Sequence, residues 1–183
     1  FEEAMDEAEP IWVTASRNGL TTAAVFFPGG TPALEDQMAD FTIGYGVEDA
    51  YSNQQRVDLA PAEGWSEVTA MGNFSTPLMG EFTIQNVAKV YLYVFDNTDD
   101  GTVNYDRVVV SIEKSGKDPA QLLGVGEWGT LVLLERACAG ADFLIQEITS
   151  ETVTLYHTGV EDNTASPTEL LQALNEKFGP FTE

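Results

Sequence analysis

The densest run of oxygen-bearing side chains is Asp96-Asn97-Thr98-Asp99-Asp100-Gly101-Thr102-Val103-Asn104-Tyr105-Asp106. Carboxylates at alternate positions of a turn suit a hard cation such as calcium, which takes oxygen ligands. Counted as a calcium loop from Asp96, the segment has Asp100 at position 5 and Gly101 at position 6. It departs from that pattern at Thr98 in position 3 and at Arg107 in position 12, where a bidentate Glu belongs. Its flanks are expected to be strands, not helices. Asp96, Asp100 and Asp106 are therefore the candidate metal ligands, for calcium only. A polar hairpin turn is the competing reading, since an acidic surface supplies such carboxylates by default.

His157 is the only histidine. One imidazole excludes a multi-histidine zinc site made wholly within the chain. A Ser-His-Asp triad would depend on it alone, and no serine lies in a Gly-x-Ser-x-Gly elbow. It is expected to be structural or at the surface. The lone Cys138, in Ala137-Cys138-Ala139-Gly140-Ala141, cannot form an internal disulfide and reads as a small buried side chain. Carboxylate pairs for glycoside hydrolysis are uninformative when 30 acids are available. Trp12, Trp65 and Trp128 could line a sugar groove. Simpler places for them are the core of the first helix, the entry to a β module, and the core beside a turn. Gly124, Gly126 and Gly129 do not separate a strand from a helix, so they make no phosphate cradle. No catalytic residue is assigned.

The charge balance narrows the partners. With 30 acidic and 8 basic residues the formal net charge is -22. Such a field repels phosphate backbones and anionic lipid, so no nucleic acid is expected as a partner. No apolar run approaches the roughly 20 residues of a membrane-spanning helix, so no membrane insertion is expected. The start, Phe1 followed by Glu2, Glu3, Asp6, Glu7 and Glu9, is the reverse of a basic leader and reads as an excised product.

Residues that could act must be held by elements, and the 183-residue length suits one ordinary domain or two small ones. Ala4, Met5, Ala8, Ile11, Trp12 and Ala15 recur at helical spacing over 1–20. Pro10 favours a helix starting at or just after it, and Asn18-Gly19 closes it. Leu20 to Phe27 reads as a strand that wants parallel neighbours. Phe41 to Tyr45 is a short strand or a loop, and 52–59 ends in a strand. From Trp65 onward the pattern is β: 81–84, 87–95, 105–112, 129–134, 143–148 and 152–156 are strand-like, the last two a hairpin. Turn signals at Gln85-Asn86, Asp99-Asp100-Gly101, Lys114-Ser115-Gly116, Gly124 to Gly126, Ala139-Gly140 and 149–151 separate them. Ser166, Pro167 and Glu169 fit an N-cap, N1 and capping box for a helix over 166–178 with Leu170, Leu171, Leu174 and Phe178 as its stripe. The expected class is α+β: an antiparallel sandwich or barrel-like module with a flanking helix-strand segment and a C-terminal helix.

Pro10-Ile11-Trp12-Val13-Thr14-Ala15-Ser16-Arg17-Asn18-Gly19-Leu20, then Ala23-Ala24-Val25-Phe26-Phe27-Pro28-Gly29, resembles the type I phosphodiesterase/nucleotide pyrophosphatase family of the alkaline phosphatase superfamily. In that family this is the helix-strand unit after the nucleophile helix. Pro61-Ala62-Glu63-Gly64-Trp65, Phe95 to Gly101, Asn104-Tyr105-Asp106-Arg107 and Gly126-Glu127-Trp128 are similar to a module inserted in longer bacterial members. Phe178-Gly179-Pro180 is similar to the return to the core.

The resemblance implies a division into 1–64 (core helix-strand segment), 65–160 (inserted β-rich module) and 161–183 (helix returning to the core). It implies a parent hydrolase with a Thr or Ser nucleophile and two zinc ions, on residues before Phe1 and after Glu183. Thr14 is not that nucleophile. It further implies that the chain itself holds no cofactor, that its partner is the remainder of the parent polypeptide, and that the setting is extracellular or periplasmic. Two other classes stay open. A β-sandwich binding module for carbohydrate or protein would expose aromatics among Trp65, Trp128, Tyr91 and Tyr105. A structural or surface domain would depend on calcium through Asp96, Asp99, Asp100 and Asp106.

Overall fold

A computed structural model describes residues 9–25, 38–44, 48–50, 52–68, 73–84, 87–117, 120–134, 139–161 and 164–178. Cys138, the Phe26 to Gly29 part of the first motif, the Gln85-Asn86 turn and Gly179-Pro180 lie outside them. The class is α+β, with two helices, three sheets rich in antiparallel pairing and a two-stranded ribbon among the described residues.

In chain order the elements are α1 (Ile11–Arg17), β1 (Ala23–Val25), β2 (Phe41–Gly44), β3 (Glu48–Ala50), β4 (Asn53–Asp58), β5 (Ala60–Pro61), β6 (Leu78–Ile84) and β7 (Ala88–Phe95). There follow β8 (Arg107–Ser111), β9 (Gln121–Leu123), β10 (Trp128–Leu134), β11 (Ala139–Ile148), β12 (Thr152–His157), β13 (Val160–Glu161), β14 (Thr164–Ser166) and α2 (Thr168–Phe178). They fall into two compact units, Phe1–Val47 with Glu161–Phe181, and Glu48–Val160 with Thr182–Glu183.

In the first unit α1 is the first described element. Pro10 is its N-cap, in extended conformation, where its missing N–H costs nothing. The helix ends as Asn18-Gly19 foretold. Gly19, at φ 79°, donates to the Ser16 carbonyl, and Leu20 N–H donates to the Ala15 carbonyl. β1 then pairs in parallel with β2, so the expected parallel neighbour is Phe41 to Gly44. β14 adds antiparallel to the other side of β2. α2 starts at Thr168, two residues later than expected, because Ser166 is taken into β14 opposite Thr42.

The second unit is a sandwich. One sheet has the order β10-β11-β12-β4 and the other β5-β6-β7-β8-β9, all antiparallel. The expected strands are all present. β4 and β5, which fell on the 1–64 side of the sequence division, pair with β12 and β6. Val90, Leu92 and Val94 of β7 and Val108 and Val110 of β8 meet Leu131, Phe143, Ile145 and Leu155 in one core. The alternate residues Tyr93, Phe95 and Val109 point away and pack with Val68, Trp65 and Ala62. Both faces of the five-stranded sheet are thus covered, which explains its continuous apolar runs.

Short links join the sheets at both ends, β4 to β5 through Leu59 and β9 to β10 through 124–127. Each corner has a glycine. A Cβ on Gly80 would lie 2.6 Å from Val57 Cγ1, and one on Gly129 would lie 2.8 Å from Leu123 Cδ2. Gly80→Ala should therefore destabilise by about 1–3 kcal/mol, the usual cost of overpacking. Urea denaturation checks this, and an unchanged midpoint would mean the corner is open.

Candidate functional site

The acidic run forms the connection between β7 and β8. Its base is Asp96, which is buried. Asp96 Oδ2 accepts from Ser75 Oγ at 2.6 Å and Asn104 N–H at 3.3 Å, while Oδ1 accepts from Thr98 N–H at 3.1 Å. The Ser75 hydroxyl does most to hold the Asp96 carboxyl below the usual carboxylate range. Desolvation opposes it, and the Thr98 and Asn104 amides add to the lowering. Asp106 accepts from Asn97 N–H at 2.9 Å and Thr98 Oγ1 at 3.2 Å. Asp100 accepts from Thr102 N–H at 2.8 Å and Asn104 Nδ2 at 3.3 Å.

Thr98 thus links Asp96 to Asp106, and Asn104 links Asp96 to Asp100. The carboxylates serve as caps for the loop's own amides, with Gly101 at φ 74° making the tip. Among the described residues, no group of three or more His, Cys, Asp or Glu is placed to hold a metal ion. Tyr105 closes the loop by donating its hydroxyl to the Thr76 carbonyl at 2.9 Å.

His157 lies in the sandwich core. It is buried between the rings of Phe82 and Phe143, at 6.2 and 6.3 Å, and its Nδ1 is 2.9 Å from the Thr158 carbonyl. A donor tautomer at Nδ1 satisfies that carbonyl, so the imidazole has a structural role.

Trp128 departs from expectation. It was placed in the core, yet it is 54% exposed. Leu131 and Leu133 point into the core, so two-residue alternation turns Gly129 inward and Trp128, Thr130 and Val132 outward. Trp128 pairs with Leu144, Leu144 with Tyr156, and Tyr156 with Gln54, forming one row across the outer face of the four-stranded sheet. The Trp128 and Tyr156 rings meet edge to face at 6.1 Å and 82°. Gln146, the extra residue where the β11–β12 register shifts, accepts from Gln54 Nε2 at 2.6 Å. In the neighbouring row Thr130 Oγ1 donates to Asp142 at 2.5 Å.

The other aromatics named from sequence sit elsewhere. Trp65 is half-buried against Tyr93 at 5.2 Å. Tyr91 is flanked by the ammonium groups of Lys89 and Lys114 at 5.4 and 5.8 Å. Glu127, before Trp128, accepts from Gly124 N–H at 2.8 Å and pairs with Arg107 at 3.1 Å. These two partners, the Gly124 amide first, lower its carboxyl from the usual range.

In the first unit, Asp40 ties the helix-strand segment to β2. Its carboxylate accepts from Ser16 Oγ at 2.8 Å, Thr22 N–H at 2.8 Å and Thr22 Oγ1 at 3.0 Å. The Ser16 bond chiefly lowers its carboxyl from the usual range. No sequence pattern marked Asp40, because its partners lie 18 and 24 positions away. Ala24 and Thr42 are buried on one face of the β1–β2 pair, while Val25 at 56% and Phe41 at 41% are exposed on the other. Ile11 and Leu20 of the preceding helix and turn are also exposed.

Comparisons with family models, curated proteins and solved structures find no match to this chain.

Proposed function

We propose that the chain is a non-catalytic, insert-bearing region of a metal-dependent phosphodiesterase/nucleotide pyrophosphatase-like hydrolase. The carrying observation is the apolar, exposed face of the parallel β1–β2 pair. Parallel pairs belong mostly to α/β sheets covered on both faces, many of which carry an antiparallel edge strand as β14 does here. Here Val25 and Phe41 are uncovered. A face of that kind suits further elements of an α/β core, supplied by the remainder of the parent polypeptide.

Two features support the same reading. The motif from Pro10 to Leu20 forms a helix leading to a parallel strand, the role its resemblance implies. All the strands of the two β-rich sheets also lie in one continuous segment, Glu48–Val160, between the two stretches of sequence that make the first unit.

The two zinc ions implied by the resemblance do not fit the described residues. The single histidine is buried against Thr158, and no cluster of three ligands occurs among those residues. Metal ligands and nucleophile therefore belong to other parts of the parent, in an extracellular or periplasmic setting. The net charge of -22 argues against nucleic acid as a partner of this region.

The test is zinc-supplemented hydrolysis of bis(p-nitrophenyl) phosphate by the purified chain and by its full-length parent gene product. Turnover by the parent alone is expected. Turnover by these 183 residues alone, or by neither protein, would overturn the assignment.

A further inference from the structure

We infer that the outer face of the β10-β11-β12-β4 sheet binds a neutral glycan, with Trp128 as its stacking platform. Several observations converge on this face. Trp128 is the tryptophan most open to solvent among the exposed large apolar residues, and it stands beside the half-buried Tyr156. Their rings make a near-perpendicular corner, with Leu144 between them in the register. The electron-rich face of an indole attracts the polarised C–H groups on one side of a pyranose ring. A second ring set at 82° limits how that sugar can lie.

Polar groups flank the corner. The Gln54–Gln146 amide pair lies at one end of the row, and Thr130 with Asp142 lies in the next row. Amides and hydroxyls both donate and accept, as sugar hydroxyls require. A wholly apolar protein surface pressed against this face would bury the donors and acceptors that these groups do not spend on each other.

Charge selects the ligand class. The row Trp128, Leu144, Tyr156 and Gln54 has no charged residue, in a chain with 30 acids and 8 bases. The net charge of -22 repels uronic or sulfated polymers. The row itself has no carboxylate with which to hold a cationic one, and the carboxylate of Asp142 in the next row is already engaged by Thr130 Oγ1. A neutral hexose or pentose polymer is what remains.

The experiment is native affinity electrophoresis of the full chain in gels containing mixed-linkage β-glucan, xylan or galactomannan, with alginate and poly-lysine as charged probes. At least one neutral polymer should retard the chain, with a blue shift of tryptophan emission as the indole leaves water. Trp128→Ala should weaken that retardation by about tenfold or more, as truncation of a tryptophan anchor does. Phe74→Ala, at an exposed aromatic outside this face, should leave it unchanged. Circular dichroism confirms that both variants fold. Retardation by no neutral polymer, equal retardation of the Trp128 variant, or Trp128-dependent binding to poly-lysine in their place would each overturn the proposal.

Discussion

Replacing Phe143 with alanine should destabilise the β-rich unit by about 3–5 kcal/mol, the largest effect expected of any single truncation here. Phe143 is fully buried, and its ring lies at 6.3 Å from that of His157. In the register it stands between Gly129 and His157. Two sheets pin its surroundings, and Leu131, Ile145 and Leu155 cannot move into the space without breaking ladder bonds. The loss is therefore the transfer free energy of the ring plus the cavity it leaves. Total stabilities of domains run to about 5–15 kcal/mol, so the variant should unfold at much lower urea. Phe74→Ala, at an exposed site, should stay within about 0.5 kcal/mol of the parent. Far-UV circular dichroism in urea separates the two, and equal midpoints would show that this core is not the one described.

Asp96→Asn should lower the thermal midpoint by several degrees at neutral pH and flatten the acid limb of the stability curve. The carboxylate receives three hydrogen bonds, from Ser75, Thr98 and Asn104. An asparagine keeps an acceptor for Thr98 but turns an N–H₂ group toward the Asn104 N–H. That places donor against donor at a buried position. The pH sign follows from the lowered carboxyl, set chiefly by Ser75. A group more acidic folded than unfolded contributes fully above its unfolded value, about 3.9. That contribution is lost as pH falls through the lower, folded value. The parent should lose stability from about pH 4 downward, and the variant should lose less over the same range. Thermal scans across that range decide it, and parallel curves would remove Asp96 from the account.

Much of the sandwich was legible because its strands obey a two-residue rhythm. β7 places Val90, Leu92 and Val94 on one face and Tyr93 and Phe95 on the other, and both faces are buried. Elements of two or three residues, such as β5, β9 and β14, are too short to show a period, and they were missed. Segment 48–64 lost its affiliation for another reason. Pro61 and Gly64 look like a boundary, while the partner of β4 is β12, far along the chain. Pairing at such separation leaves no local trace.

The candidate sites divide along the same line. The acidic turn was visible as composition, but whether its carboxylates face outward or cap their own amides depends on Ser75, which no spacing rule connects to Asp96. Trp128 was misplaced because the glycines at 124 and 126 suggested a turn with a core residue behind it. Its outward direction follows from the alternation with Leu131 and Leu133, while its inward neighbour Gly129 has no side chain to reveal the phase. Asp40 was invisible for want of any pattern.

Strands β3 and β13 pair with each other where the polypeptide enters and leaves the β-rich unit. The two ends of that unit therefore emerge side by side, one ladder spacing apart, about 4.8 Å. To a recipient fold, such a unit is no more demanding than a hairpin tip. Its ends are already closed, so grafting it adds little loop-closure entropy and leaves the recipient's strand register undisturbed. A gene segment encoding 48–160 could thus migrate between unrelated scaffolds as a cassette, and its evolutionary history need not be that of the polypeptide around it.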